Sequence, residues 1–172
     1  MAANTWTAYF PGVSFNNDTI LCGVINNSSS KVVKIRRVRF LNAQATAVAG
    51  MVCFGEFRRY TSATWSSYSA VSPFPHDTNN TALSDIYAGT GGTISGTSNV
   101  LRNYIWSSDE PAVGGATVDE WETVSSFNIV WELGFGDANL TSLTLNEDEM
   151  VCIYNMSGST GTVDIWITFT EA

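Results

Sequence analysis

Little in this chain is suited to chemistry. It holds a single histidine, His76, and three cysteines, Cys22, Cys53 and Cys152, none in CxxC spacing. One histidine excludes most zinc chemistry, and an odd cysteine count fits neither a disulfide framework nor a thiolate metal site. Each cysteine sits inside a β-rich apolar run, so buried free thiols in a chain made in a reducing cytoplasm are expected. Charged residues make up only 14%, and with 44% hydrophobic residues the chain is neither a coiled coil nor disordered. No window approaches the roughly 18 apolar residues that span a bilayer. The opening MAANTWTAYF has neither basic residues nor an apolar h-region, so no signal peptide is expected. Asn-x-Ser/Thr sites such as Asn27-Ser28-Ser29 and Asn139-Leu140-Thr141 are then expected to stay unmodified.

What is present is β-forming. Gly, Ser, Thr and Asn are abundant, and no long segment repeats its apolar residues every 3.6 positions. At 172 residues this predicts one all-β domain with a full core. Toward the end, Val163, Ile165, Ile167 and Phe169 alternate with Asp164, Trp166, Thr168 and Thr170, the pattern of a half-buried strand. Val151 to Tyr154 is a second β-rich run, and MSGSTG between the two reads as the turn of a closing hairpin. In Lys31 to Leu41 the apolar parity changes: Val33 and Ile35 lie on one face, Val38 and Phe40 on the other, with Arg36-Arg37 at the switch. A β-bulge there would restore one apolar face. Residues 1–13, ending at Pro11-Gly12, read as an N-terminal arm or edge strand, and residues 14–172 as the domain itself. Ala88 to Ser98, AGTGGTISGTS, reads as an exposed mobile loop, and Thr61 to Asp85 as a long loop with one short strand. Val124 to Leu133 alternates as a strand. The tally is about eight antiparallel strands with long middle connections, which predicts a two-sheet jelly-roll sandwich; a lipocalin-like barrel or an immunoglobulin-like sandwich is the alternative.

The net charge of −8 is segregated. All eight basic residues lie at or before Arg102, among only four acids, and from Asn103 onward there are twelve acids and no base. Basic and acidic strands can neighbour each other within the chain, or complement each other between copies or on a partner surface. The overall acidity argues against nucleic-acid binding.

Catalytic constellations are weak. His76-Asp77 could be a base with its orienting carboxylate, yet no nucleophile context accompanies it, and a solvated loop histidine is the plain reading. Asp109-Glu110, Asp119-Glu120-Glu122 and Glu147-Asp148-Glu149 lack any calcium-loop pattern and read as solvated loop acids. Aromatic rings offer more. Trp65, Tyr68, Trp106 and Trp121 lie in or near long loops, where they could stack on sugars or pack an interface. Lys31, Lys34, Arg36, Arg37 and Arg39, with Arg58 and Arg59, could face an acidic partner, and Trp6, Tyr9 and Phe10 could dock on a neighbour.

The strings VVKIRRVRFLNAQATAV, HDTNN, LRNYIWSSDEPA, ELGFGDANLTSLTLNEDEMVCIYN and TVDIWITFTE resemble small virion proteins of tailed bacteriophages, the head decoration or cement proteins built on a jelly roll. The likeness covers most of the chain from about Lys31. It implies a non-enzymatic homotrimer on the capsid surface, bound to the major capsid protein where capsomers meet, with no cofactor, nucleic acid or membrane. It transfers no site residues. The alternative function is a carbohydrate-binding sandwich or a tail-associated receptor-binding jelly roll.

Overall fold

The computed structural model describes residues 4–42, 51–80, 83–108, 128–132, 142–156 and 161–172. They form strands β1 (Asn4–Ser14), β2 (Thr19–Asn26), β3 (Val33–Asn42), β4 (Met51–Ser66), β5 (Ser69–Val71), β6 (Phe74–Pro75), β7 (Ile86–Thr90), β8 (Thr93–Ser108), β9 (Asn128–Glu132), β10 (Leu143–Leu145), β11 (Glu149–Asn155) and β12 (Thr162–Glu171). No helix occurs among the described residues.

These strands make two antiparallel sheets. The first runs β10-β3-β12-β1-β6, with β9 beside β10 on the same edge of β3, and the second runs β5-β7-β2-β11-β4-β8. Eight of them give the orders β1-β12-β3-β9 and β2-β11-β4-β8, in which consecutive strands change sheets everywhere except from β4 to β8. That is the jelly-roll arrangement. The remaining strands extend it: β5 and β7 lengthen the second sheet beyond β2, β6 extends the first beyond β1, and β10 flanks β3.

This topology corrects the closing hairpin. β11 pairs with β2 and β4, and β12 pairs with β1 and β3, so the two runs lie in opposite sheets. β11 is apolar on both faces, Val151 and Ile153 in the main core and Met150 and Cys152 in a smaller outer one, which suits a central strand between β2 and β4. Residues 157–160 of the connecting MSGSTG lie outside the described residues.

The bulge is where the parity of β3 requires it. Thr168 pairs with Arg37 and Phe169 with Ile35, which leaves Arg36 as the extra residue. Val33, Ile35, Val38 and Phe40 are in consequence all fully buried. They join Phe10, Phe57, Val151, Ile153, Val163, Ile165, Ile167 and Phe169 in the core between the sheets. Each such side chain contributes about 1.5–3 kcal/mol by leaving water.

The N-terminal segment is not a free arm. β1 pairs with β12 along its length, with a register shift between Phe10 and Val13 at the Pro11-Gly12 step. Trp6 and Phe10 point into the core, at 2% and 0% exposure. On its other side, among the described residues, β1 pairs with the two-residue β6, which leaves it close to the sheet edge.

The glycine-rich stretch is not a loop. It forms β7, a turn at Gly91-Gly92 and the start of β8, which pairs with β4 from Thr93↔Ser66 to Ser108↔Met51. At Ser62 (φ 51°) and Gly96 (φ 134°) this long ribbon bends, and a Cβ on Gly96 would meet the Thr61 carbonyl oxygen at 2.8 Å. Beyond the bend the ribbon covers the outer face of the second sheet, where Ala63 and Trp65 pack with Tyr60 on Ile20, Ile25, Met150 and Cys152 in a second, smaller core. The Trp65 indole N–H donates to the Gly91 carbonyl at 3.0 Å, and the Gly91 N–H to that of Ile20 at 3.1 Å, which pins the ribbon down. Glycine's tolerance of positive φ makes this path possible.

Two buried asparagines tie the connections. Asn26 donates from Nδ2 to the carbonyls of Lys31 (2.9 Å) and Leu145 (3.1 Å) and accepts from the Ser28 N–H (3.0 Å). Asn155 donates to the Asn16 carbonyl at 2.8 Å. Both are fully buried, and their bonds satisfy loop carbonyls that would otherwise be stranded.

Candidate interaction face of the first sheet

The outward residues of β1, β12 and β3 form one continuous face. Cross-strand register aligns Tyr9, Trp166 and Arg39 in one row, Thr7, Thr168 and Arg37 in the next, and Thr170 with Lys34 in a third. Tyr9, Trp166, Arg37, Arg39, Lys34, Thr7 and Thr168 are all half-buried. The Tyr9 and Trp166 rings stack, with centroids 4.9 Å apart and planes 16° from parallel. Tyr9 donates from its hydroxyl to Asp164 Oδ2 at 2.5 Å, while Asp164 Oδ1 accepts from the Gly12 N–H at 2.7 Å. The hydrogen bond to the Asp164 carboxylate raises the Tyr9 phenol pKa above its ordinary value, because the donated proton is harder to lose; burial and the carboxylate's charge act in the same direction. Thr7 Oγ1 lies 2.8 Å from Nε2 of the exposed His76 and 3.0 Å from Thr168 Oγ1. Arg36 Nε donates to Thr170 Oγ1 at 3.2 Å.

The candidate residues therefore divide. Tyr9, Lys34, Arg37 and Arg39 share the face, with Arg36 at its bulge. Lys31 sits at its end in an ion pair with Glu171 (3.0 Å), which also accepts from Asn4 (3.2 Å). Trp6 and Phe10 are inside the core and present no surface to a partner, a correction to their expected docking role. Arg58 and Arg59 lie on the second sheet and are held within the chain. Arg58 bonds to Glu56 at 2.5 Å and stands 3.6 Å over the Tyr154 ring; Arg59 reaches both Glu149 oxygens at 2.7 Å. Two of the ion pairs, Lys31–Glu171 and Arg59–Glu149, join the basic N-terminal part to the acidic C-terminal part of the same chain.

Of the sugar-stacking candidates Trp65, Tyr68, Trp106 and Trp121, the structure describes the rings of the first two. Trp65 is 8% exposed, and its ring stacks on Tyr68 at 4.1 Å. Behind Tyr68 the backbone of Gly89 is so close that a Cβ there would meet the Tyr68 ring at 2.5 Å. Tyr68 is half-buried. The Trp106 side chain and the whole of Trp121 lie outside the described residues, as do Asp109-Glu110, Asp119-Glu120-Glu122 and residues 124–127 and 133 of the expected strand around β9.

His76 and Asp77 do not form a catalytic pair: Asp77 Oδ1 accepts from the Asn79 N–H at 2.9 Å and from its side-chain amide at 3.0 Å, while His76 turns to Thr7. In the acidic run Glu147-Asp148-Glu149, Glu149 is an ion-pair partner rather than a solvated acid. Trp166 and Asp164 also lie on this face, though neither is among the candidates named from sequence. The signal was present, since the alternation of β12 already puts both on its polar face.

Cys22 and Cys152 are free and fully buried on opposite faces of the second sheet, Cys22 in the main core and Cys152 in the smaller one. Burial pushes both thiols up, Cys152 to about 12. Native-state alkylation with iodoacetamide, read by peptide mass, is expected to leave both unmodified until denaturant is added. In the folded protein they keep protons that the unfolded chain releases above about pH 9, so they take stability away as pH rises from about 9 toward 12.

The fold defines the class: an all-β, two-sheet antiparallel sandwich in jelly-roll order. No protein-family model, no curated protein and no solved structure matches the chain.

Proposed function

We propose that the chain is a non-enzymatic structural protein of a virus particle, a capsid decoration protein that binds the outside of a phage head as a homotrimer and stabilises the shell by contact. One observation carries this reading. Three long strands present Tyr9, Trp166, Arg37 and Arg39 together on a single half-exposed face, and Tyr, Trp and Arg are the residues that dominate protein interfaces. A rigid sandwich can press such a face on a neighbour with little ordering cost, and repeated contacts around a symmetry axis turn weak binding into firm attachment. The work is done by contact area, with the major capsid protein and other copies as partners, and needs no cofactor, nucleic acid or membrane.

Light scattering of the purified chain is expected to give about three times its 18.6 kDa mass. Added to heads that lack it, the protein should occupy the shell lattice in electron micrographs and raise the temperature at which shells break. Charge reversal by Lys34→Glu with Arg37→Glu should abolish that occupancy. A monomer at high concentration that leaves heads bare would refute the reading.

The Tyr9–Trp166 pair also favours a second reading, a carbohydrate-binding sandwich. Thr7, Thr168 and His76 place hydroxyl and imidazole groups beside the rings, a mixture that suits a sugar. Dose-dependent binding on a glycan array, lost in Trp166→Ala, would select it over the first.

A further inference from the structure

At one end of the first sheet, three polar side chains occupy positions that the strand period assigns to the core. Glu171 lies two residues beyond Phe169, Asn4 two before Trp6, and Lys31 two before Val33, and Phe169, Trp6 and Val33 are all buried in the main core. The ladders carry that alternation through without a break: Asn4 pairs with Glu171, Glu171 with Val33, and Val32 exchanges both backbone hydrogen bonds with Ala172. Glu171 is 7% exposed. Its Oε1 accepts from the Asn4 side-chain amide at 3.2 Å, and its Oε2 from Lys31 Nζ at 3.0 Å. An amine, a carboxamide and a carboxylate that touches both are a reactive set, because an amine displaces ammonia from an amide when a proton carrier links the two nitrogens.

We propose that Lys31 and Asn4 become joined by an isopeptide bond, with Glu171 as the catalytic proton carrier. Lys31 Nζ passes a proton to Glu171 Oε2 along their contact, and its freed lone pair attacks Asn4 Cγ. Glu171 delivers the proton to Asn4 Nδ2, the Cγ–Nδ2 bond breaks, and ammonia leaves as the Nζ–Cγ bond completes. Of the two protons that the lysine ammonium gives up, one departs on the ammonia and the other goes to solvent. Glu171 ends as it began, and nothing is oxidised or reduced. The step that Nζ must make is short, from Oε2 past Oε1 to the carbon beside Nδ2, and lysine's flexible four-carbon stem permits it. Well-oriented groups within one molecule react at effective concentrations of about 10⁵–10⁸ M, which makes a target of an amide that free amines leave alone. The bond ties β1 to the start of β3 across β12, on the core side of the sheet and independent of the proposed interaction face.

Mass spectrometry of the full chain, folded first and then denatured, tests this. The intact mass is expected to fall about 17 Da short of the sequence mass, the loss of one ammonia. Trypsin should then release a first peptide that ends at Lys34 instead of Lys31, because an acylated lysine is not cut. Cleavage of that peptide before Asp18 should leave its two halves joined. Lys31→Arg keeps a cation beside Glu171 but offers a guanidinium that stays protonated, so its mass should be full. Glu171→Gln fills the same space without carrying a proton and should also keep the full mass. A full mass for the unaltered chain after prolonged incubation in mildly alkaline buffer would overturn the proposal, and so would the same loss in either variant. Loss of ammonia with separable halves would overturn it too, since that marks a cyclised asparagine and no cross-link. The unaltered chain decides the matter alone, so a variant that fails to fold leaves the test intact.

Discussion

Deleting Arg39 should cost about 3 kcal/mol or more and lower the melting temperature by roughly 10 °C, whereas deleting Arg36, three positions away, should leave the protein folded. The two deletions remove the same residue type from the same strand. Arg36 is the bulge residue, opposite no residue of β12. Without it Val33, Ile35, Val38 and Phe40 still alternate with Lys34, Arg37 and Arg39 in an uninterrupted ladder, and only the 3.2 Å bond to Thr170 is lost. Without Arg39 the strand has two poor options. If the bulge persists, Phe40 moves to the outer face and Leu41 takes its place in the core. If the bulge irons out, Phe40 stays inside but Arg37 enters the slot of Val38, a buried charge among apolar neighbours. Either outcome consumes a large part of the roughly 5–15 kcal/mol that holds a domain together. Circular dichroism melts of the two deletions decide it, and equal melting temperatures would show that β3 can slide freely.

Glu149→Ala is expected to cost about 2–3 kcal/mol, far beyond a surface carboxylate, with Glu149→Gln in between. Glu149 is 12% exposed and accepts four hydrogen bonds: two from Arg59 Nη2 at 2.7 Å, one from the Asn146 N–H at 2.7 Å and one from the Asn146 side-chain amide at 3.1 Å. It thereby clamps the turn before β11, where Asp148 adopts φ 56°, to the neighbouring strand β4. Removing it leaves the Arg59 guanidinium, 29% exposed, without its counter-charge, and the partial exposure holds the cost below that of a fully buried pair. Urea denaturation of the two single variants and of the Arg59→Ala, Glu149→Ala double variant measures the coupling; a loss under about 0.5 kcal/mol for Glu149→Ala would mark it as a solvated acid after all. Arg59→Ala should leave the oligomeric mass unchanged, because Arg59 pairs with Glu149 within the chain and lies on the sheet opposite the proposed interaction face.

Several features were legible in the residues alone because they are local. The two-residue period of β12 named its buried face, and the parity break in β3 located the bulge at Arg36-Arg37, of which the register singled out Arg36. The segregation of charge foreshadowed Lys31–Glu171 and Arg59–Glu149, although not which acid meets which base. Other features were illegible because nothing local marks them. MSGSTG has turn chemistry whether it closes a hairpin or crosses between sheets. AGTGGTISGTS has the composition of a mobile loop, yet Gly91, Gly92 and Gly96 serve as bend points of a strand laid over a sheet face. Trp65 and Tyr68 read as exposed rings until Gly89 and Gly91 closed around them.

From composition and period alone came the all-β class and the faces of the best strands, because side-chain alternation is a property of consecutive residues. Tertiary structure alone decided that β11 and β12 face each other across the core, that Trp6 and Phe10 are walls rather than hooks, and that Tyr9, Trp166, Arg37 and Arg39 meet on one face. Those outcomes depend on which strand lies beside which, and partners more than a hundred residues apart, such as Tyr9 and Asp164, leave no mark on each other's neighbourhood in the chain.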